Sequence, residues 1–164
     1  MKFEKVSYEE FNKAMLDIVG TNEEFIRDCY DSLVLPKRAT VGSAGYDFFS
    51  PFSFELKPGQ TIKIPTGIKI EMPKGVVAIC VPRSGYGFKY RMMLENTIGV
   101  IDSDYYNNPF NEGHCMAKFT NHGDKTMEVN AGDAYMQCLL LPYLLTDDDE
   151  VTENRTGGIG STGN

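Results

Sequence analysis

Five short stretches of this 164-residue chain combine polar and glycine residues that a plain apolar core has no use for. Ser43-Ala44-Gly45-Tyr46-Asp47 ends in a carboxylate at a strand entrance. Such an Asp either closes its own turn or stands near a bound Mg²⁺, directly or through water, because that ion keeps several waters and takes few protein ligands. Pro82-Arg83-Ser84-Gly85 offers a planar fork matched to phosphate, a hydroxyl, and a glycine that lets backbone amides approach an anion. The plainer reading is a surface Arg in a turn. Asn96 through Tyr105 holds an amide that presents both donor and acceptor, as the edge of a pyrimidine base requires, followed by Asp102, Asp104 and Tyr105. In a straight strand Asp102 and Asp104 share a face while Tyr105 points away, so a turn is needed to bring Asp102 and Tyr105 to one ligand. The two carboxylates equally suit a cation site or a solvated corner. Gly132 through Gln137 places one polar side chain in an apolar run, where it serves either a ligand or a buried backbone group. Last, Arg155-Thr156-Gly157-Gly158-Ile159-Gly160-Ser161-Thr162-Gly163 can wrap amides and hydroxyls around an anion, or simply be a flexible end.

The elements that must position these residues are mostly strands. Ile62, Ile64, Ile68 and Ile70 fall on even positions of Thr61–Met72, the alternation of a half-buried strand. Gly75–Val81, Met116–Thr120 and Ala134–Leu141 are further candidates, separated by turn signals such as Pro58-Gly59, Pro73-Lys74-Gly75 and Asn130-Ala131-Gly132. This cadence predicts a sandwich or barrel. The first thirty-odd residues follow a different period. Ser7 with Glu10 forms a capping box, Phe11, Met15 and Ile18 recur at helical spacing, and Gly20 is a stop. Thr21 with Glu24 suggests a second start, with Phe25, Cys29 and Leu33 on one face and Pro36 closing it. A helical hairpin packed on the β-domain or on a neighbouring subunit is the expectation. Asp147–Asn154 reads as a solvated linker.

Sixteen Lys and Arg against 23 Asp and Glu leave a net charge of −7, which argues against direct nucleic-acid binding. An anionic substrate would need a divalent metal or well-placed arginines to overcome that field. Cys29, Cys80, Cys115 and Cys138 form no Cys-x-x-Cys pair and read as reduced thiols, Cys80 and Cys138 as core residues. His114 and His122 have no metal-ligand spacing and read as surface or loop residues. The N-terminus is too acidic for a signal peptide and no apolar run approaches membrane-spanning length, so a cytoplasmic protein is expected.

Taken in order, the five stretches resemble the five motifs of the trimeric dUTP pyrophosphatase (dUTPase) family, over roughly residues 33–164. The resemblance implies a mainly β, jelly-roll-like distorted barrel over 33–146. A helical extension at 1–32 precedes it, and a linker with a flexible Gly-rich arm at 147–164 closes a neighbouring active site of a homotrimer. It implies hydrolysis of dUTP to dUMP and pyrophosphate with Mg²⁺, limiting uracil in DNA and supplying dUMP for dTMP synthesis. By the same resemblance Asp102 activates the attacking water and touches the 3′-hydroxyl, while Tyr105 packs under the sugar and excludes ribose. Asn96 and the backbone of Gly99, Val100 and Ile101 read the uracil edge; Arg83, Ser84, Gly85 and Gln137 hold phosphates; Asp47 sits near Mg²⁺ through water. Arg155, Ser161 and Thr162 meet the phosphates from another subunit, with Ile159 capping the base and Gly160 also among the substrate-binding residues. The family usually has an aromatic where this chain has Ile159, so weaker stacking is expected. Asn107 stands where the family often has Gly, a position Asn can fill in the left-handed conformation. The setting implied is the cytoplasm of a bacterial or phage-infected cell, and the extension leaves room for a regulatory protein partner. Two rival readings are a dCTP deaminase on the same fold, against which the intact tail speaks, and a non-catalytic nucleotide sensor.

Overall fold

Period-two sequence broken by glycine turns produces eleven strands and three α-helices among the described residues. The computed structural model describes residues 1–153, Arg155 and Gly157. In chain order the elements are β1 (Lys2–Lys5), α1 (Tyr8–Val19), α2 (Glu23–Asp31), β2 (Tyr46–Phe49), β3 (Phe54–Leu56), β4 (Thr61–Pro65) and β5 (Ile68–Glu71). There follow β6 (Val76–Pro82), α3 (Ser84–Tyr90), β7 (Met92–Leu94), β8 (Gly99–Ile101), β9 (Met116–Asn121), β10 (Met127–Val129) and β11 (Ala134–Pro142). All pairings are antiparallel. A four-stranded sheet runs β2-β11-β6-β8 and a three-stranded one β4-β9-β7, with two further pairs, β1-β5 and β3-β10. The architecture is the expected mainly β, jelly-roll-like one. No helix among the described residues is long and apolar enough to cross a membrane.

The core fills from the inward positions of these strands. Ile64, Phe119, Tyr135, Met127 and Cys138 are fully buried, as the alternation predicts. Thr61–Met72 is not one strand, however. Gly67, at φ +72°, breaks it into β4 and β5, and a side chain there would collide with Leu33 and Phe11. The turn needs glycine both for its backbone angle and to let the N-terminal segment close over it.

That segment belongs to the same core. Ser7 caps α1 by accepting from the Glu10 N–H at 3.1 Å, and Gly20 ends it in a positive-φ conformation. The capping box is only half built, because the Ser7 N–H donates to Glu112 rather than to Glu10. The second helix is capped by Asn22, one residue after the expected Thr21, with the Asn22 side-chain Oδ1 accepting from the Phe25 N–H. Phe11, Met15 and Ile26 are completely buried beside the strand residues. Sequence periodicity missed β1, whose four residues pair with β5 from Lys2↔Glu71 to Lys5↔Ile68. The run is short and three of its four residues are charged, so it shows no clean alternation.

Burying each such large side chain contributes about 1.5–3 kcal/mol, so the helices and β1 carry a sizeable share of a domain's marginal stability. Deleting residues 1–32 is therefore expected to give an aggregated or unfolded chain rather than a free-standing β-domain. Circular dichroism and sedimentation of the truncated protein check this, and a monodisperse, folded product would contradict the shared core.

Candidate active site

The short strand β8 forms one wall of a cavity of about 220 Å³. It pairs with β6 at Ala78↔Ile101 and Cys80↔Gly99. Gly99 matters at this point because a Cβ there would lie 3.1 Å from the Cys80 Cβ, pressing the strands apart. Before β8 the chain reverses through Glu95–Ile98, with Thr97 at φ +69° and its N–H on the Leu94 carbonyl. After β8 it coils at once into a 3₁₀ turn, Ser103–Tyr105, in which the Tyr105 N–H donates to the Asp102 carbonyl at 3.1 Å. This is the turn that the spacing of Asp102 and Tyr105 demands. It brings both, with Asn96, Gly99, Val100 and Ile101, onto one cavity. The volume falls below the ~300–1,000 Å³ of drug-sized pockets, so it suits part of a nucleotide rather than the whole.

Tyr105 is the best-anchored member of this group. Its hydroxyl donates to the His114 carbonyl at 3.1 Å and accepts from Asn111 Nδ2 at 2.7 Å. Burial of the phenol raises its pKa, partly opposed by the Asn111 hydrogen bond. Asp102 is open by contrast, its side chain 55% exposed. The guanidinium of Arg155 reaches it from the tail, with Nη2 to Asp102 at 2.8 Å and Nε to Asp104 at 2.9 Å, and lies 5.5 Å from the Tyr105 ring centre. The resemblance implies phosphate for Arg155; here its fork takes the strongest acceptors of its own chain, for which a polyphosphate would compete. Ile159, Gly160, Ser161 and Thr162 lie outside the described residues.

A second polar cluster stands elsewhere on the same sheet. Gln137 of β11 pairs with Asp47 of β2 on one side and Val81 of β6 on the other. Arg83, just past β6, donates to the Asp47 carboxylate, which is largely buried. A Cβ on Gly45 would run into the Gln137 amide. Arg83 also occupies the N-cap position of α3, with no side-chain capping bond, a short helix where the sequence suggested only a turn, and Ser84 and Gly85 are exposed at its start. None of Asp47, Arg83, Ser84, Gly85 or Gln137 lines the Asp102 cavity. The register explains why. Asp102 follows Ile101, which lies opposite Ala78, whereas Arg83 is five residues further along β6. At about 3.3 Å per residue that is roughly 16 Å.

Sequence reasoning missed the residues behind Tyr105. His114 is not a surface residue but fully buried, its Nε2 accepting the Gly67 N–H at 2.8 Å and its Nδ1 3.3 Å from Glu10. His122 is exposed, as expected. Asn107 adopts the left-handed conformation foreseen for it, at φ +55°. The density of turn formers in Asn107-Asn108-Pro109-Phe110-Asn111 was the one available signal for the loop that holds Asn111. Removing only the hydroxyl, as in Tyr105→Phe, leaves the Asn111 amide and the His114 carbonyl without this partner. A loss of about 1–3 kcal/mol is expected from urea denaturation of that variant.

Three comparisons bear on this arrangement. The dUTPase family model matches residues 31–163. A deoxyuridine 5′-triphosphate nucleotidohydrolase of Lactococcus lactis subsp. lactis is 43% identical over 131 residues, covering 79% of this chain and 87% of that protein. One from Desulfitobacterium hafniense is 41% identical over 137 residues, covering 79% and 87%. The crystal structure of a dUTPase from Streptococcus mutans superposes with a TM-score of 0.67 at 35% identity, covering 90% of this chain and 99% of that one. The dUTPase of phage phi11 of S. aureus, which coordinates a structural Mg(II) ion, shares the fold at 23% identity and a TM-score of 0.59, covering 73% and 90%.

Proposed function

The chain belongs to the dUTPase family, and on that footing we propose that it hydrolyses dUTP to dUMP and pyrophosphate at a site completed by neighbouring copies in a homotrimer. The observation that carries the reading is the pocket that Asp102, Tyr105 and Asn96 line together with the residues of β8. Backbone groups of Gly99–Ile101 and the Asn96 amide provide donors and acceptors for a uracil edge. The buried Tyr105 ring forms a fixed wall against the sugar, where a 2′-hydroxyl would collide.

Asp102 holds and deprotonates a water aimed at the α-phosphorus. Attack requires that water within about 3–3.5 Å of phosphorus. Arg83, at the far end of β6 of the same chain, cannot hold phosphates there. A second copy's Arg83, Ser84, Gly85 and Gln137 do so instead, which accounts for two polar clusters on one subunit. Arg155 then leaves the carboxylates for the phosphates as the tail of a further copy folds over. Displacement at phosphorus depends chiefly on such positioning and on charge neutralisation.

Magnesium fits this donor set in one way. Among the described residues no three His, Cys, Asp or Glu side chains gather into a metal cage, and Asp47 is engaged by Arg83. That suits an ion carried on the substrate phosphates and met by Asp47 through water. When bound it would neutralise the charge on the departing pyrophosphate, easing the conflict between a −7 chain and a polyanion. The reaction would keep uracil out of DNA and supply dUMP for dTMP synthesis. A cytoplasmic setting would keep the four buried free thiols reduced.

Pyrophosphate release from dUTP, UTP, dTTP and dCTP with magnesium tests the assignment, and dUTP is expected to stand alone. Asp102→Asn should lower kcat by about 10²–10⁴-fold, the usual worth of a general base, with dUTP affinity largely kept. Near-normal turnover in that variant would remove Asp102 from the chemistry. Deleting 155–164 is expected to collapse turnover while sedimentation still shows the oligomer; full activity would exclude the tail from the site.

A further inference from the structure

Tyr105 is held from behind by a loop, and the loop is held by the N-terminal helix. Within the loop, Asn111 donates to the Tyr105 hydroxyl while its own Oδ1 accepts from Asn108 Nδ2 at 2.8 Å, and Asn108 Nδ2 also donates to the Tyr105 carbonyl at 2.8 Å. His114 closes the loop and supplies the carbonyl on which the Tyr105 hydroxyl rests. A Cβ on Gly113 would lie within 3 Å of the Tyr105 and Tyr106 backbone, so loop and tyrosine are pressed together.

Two hydrogen-bonded contacts tie this loop to α1, and Lys13 of the helix lies over the Phe110 ring. Because His114 Nε2 accepts the Gly67 N–H, its proton sits on Nδ1, facing the Glu10 carboxylate. The imidazole is thus fixed in ring plane and tautomer by a residue of α1. One turn earlier, the Ser7 N–H and hydroxyl both donate to Glu112, whose carboxylate also meets Lys69 at 3.4 Å. Although burial opposes it, these bonds hold the Glu112 carboxyl below its ordinary pKa. Glu112 itself takes a left-handed backbone angle, φ +55°, which an unsupported glutamate rarely adopts.

We propose that α1 is a positioning element for substrate selection: Glu10 through His114, and Ser7 through Glu112, set how far the Tyr105 ring stands into the sugar pocket and hence how strongly deoxyribose is preferred to ribose. The proposal rests on the reading of Tyr105 as the wall against the sugar. Glu10, Ser7, His114 and Glu112 are positioning residues, none of which lines the cavity. The N-terminal segment thereby acquires a functional role beyond burying apolar surface. A wall loosened by a fraction of an ångström admits a 2′-hydroxyl more readily while changing the fit of deoxyribose less.

The test is the ratio of kcat/KM for dUTP to that for UTP in the full-length protein. In Glu10→Ala the ratio should fall about five- to tenfold, the scale on which small displacements in a pocket are felt, chiefly through a lower KM for UTP. Glu10→Gln keeps an oxygen that accepts from Nδ1–H and should return the ratio to within about twofold of wild type. Glu9→Ala, the same substitution at an exposed neighbouring position of α1, should leave it unchanged. Should Glu10→Ala fail to fold, Glu112→Gln decides, since its NH2 group replaces one of the two oxygens on which the Ser7 N–H and hydroxyl separately rest; the same fall is expected there. An unchanged ratio in a folded Glu10→Ala or Glu112→Gln, no rescue by Glu10→Gln, or an equal fall in Glu9→Ala would each overturn the proposal. A wild-type protein that releases no pyrophosphate from dUTP would instead defeat the underlying reading.

Discussion

Everything at the site follows from the pairing of β6 with β8 on one side and β11 on the other. Backbone hydrogen bonds fix register, and register fixes which chemistry meets which. Because β8 is only three residues long and glycine starts it, the strand lies tight against Cys80 and then lets the chain turn. That turn delivers a carboxylate and an aromatic ring to one hollow. The opposite end of β6 delivers an arginine to an aspartate of β2, which pairs across the sheet with a glutamine of β11. One sheet therefore carries two separate polar clusters, the arrangement on which the proposed site between copies rests.

The −7 charge makes this division useful. A lone acidic pocket repels a polyphosphate, whereas Asp102 and Asp104 here are screened by Arg155, and Asp47 by Arg83. Each cation is pre-paired with a carboxylate of its own chain, which limits the cost of holding charge near an apolar wall.

Much of this was legible in the residues, and the exceptions have physical causes. The even-numbered isoleucines reported the buried faces of β4 and β5, but not the Gly67 break between them, since alternation continues in phase across a two-residue turn. Ser7 and Gly20 marked α1 correctly because caps are local. Asp102, Tyr105 and Asn96 stood out by type and spacing, and the cavity unites them. His114 did not, because nothing local distinguishes a buried imidazole bonded to a glycine amide 47 residues away from one in solvent. Contacts such as Ser7 with Glu112 join residues 105 positions apart, a separation at which a single sequence carries no signal. The fate of Arg155 shows a further limit: residue type announces an anion partner but not which anion.

The edge formed by β8 has one more effect. A sheet margin is an invitation to foreign strands, which add to unpaired amides and carbonyls and seed clumping. This margin offers three residues, bounded by left-handed Thr97 on one side and the coil after Asp102 on the other. An intruding strand finds too little ladder to grip, while a flat heterocycle needs no more than that. The brevity that keeps the fringe from polymerising is thus the same brevity that leaves its polar atoms free for a small guest.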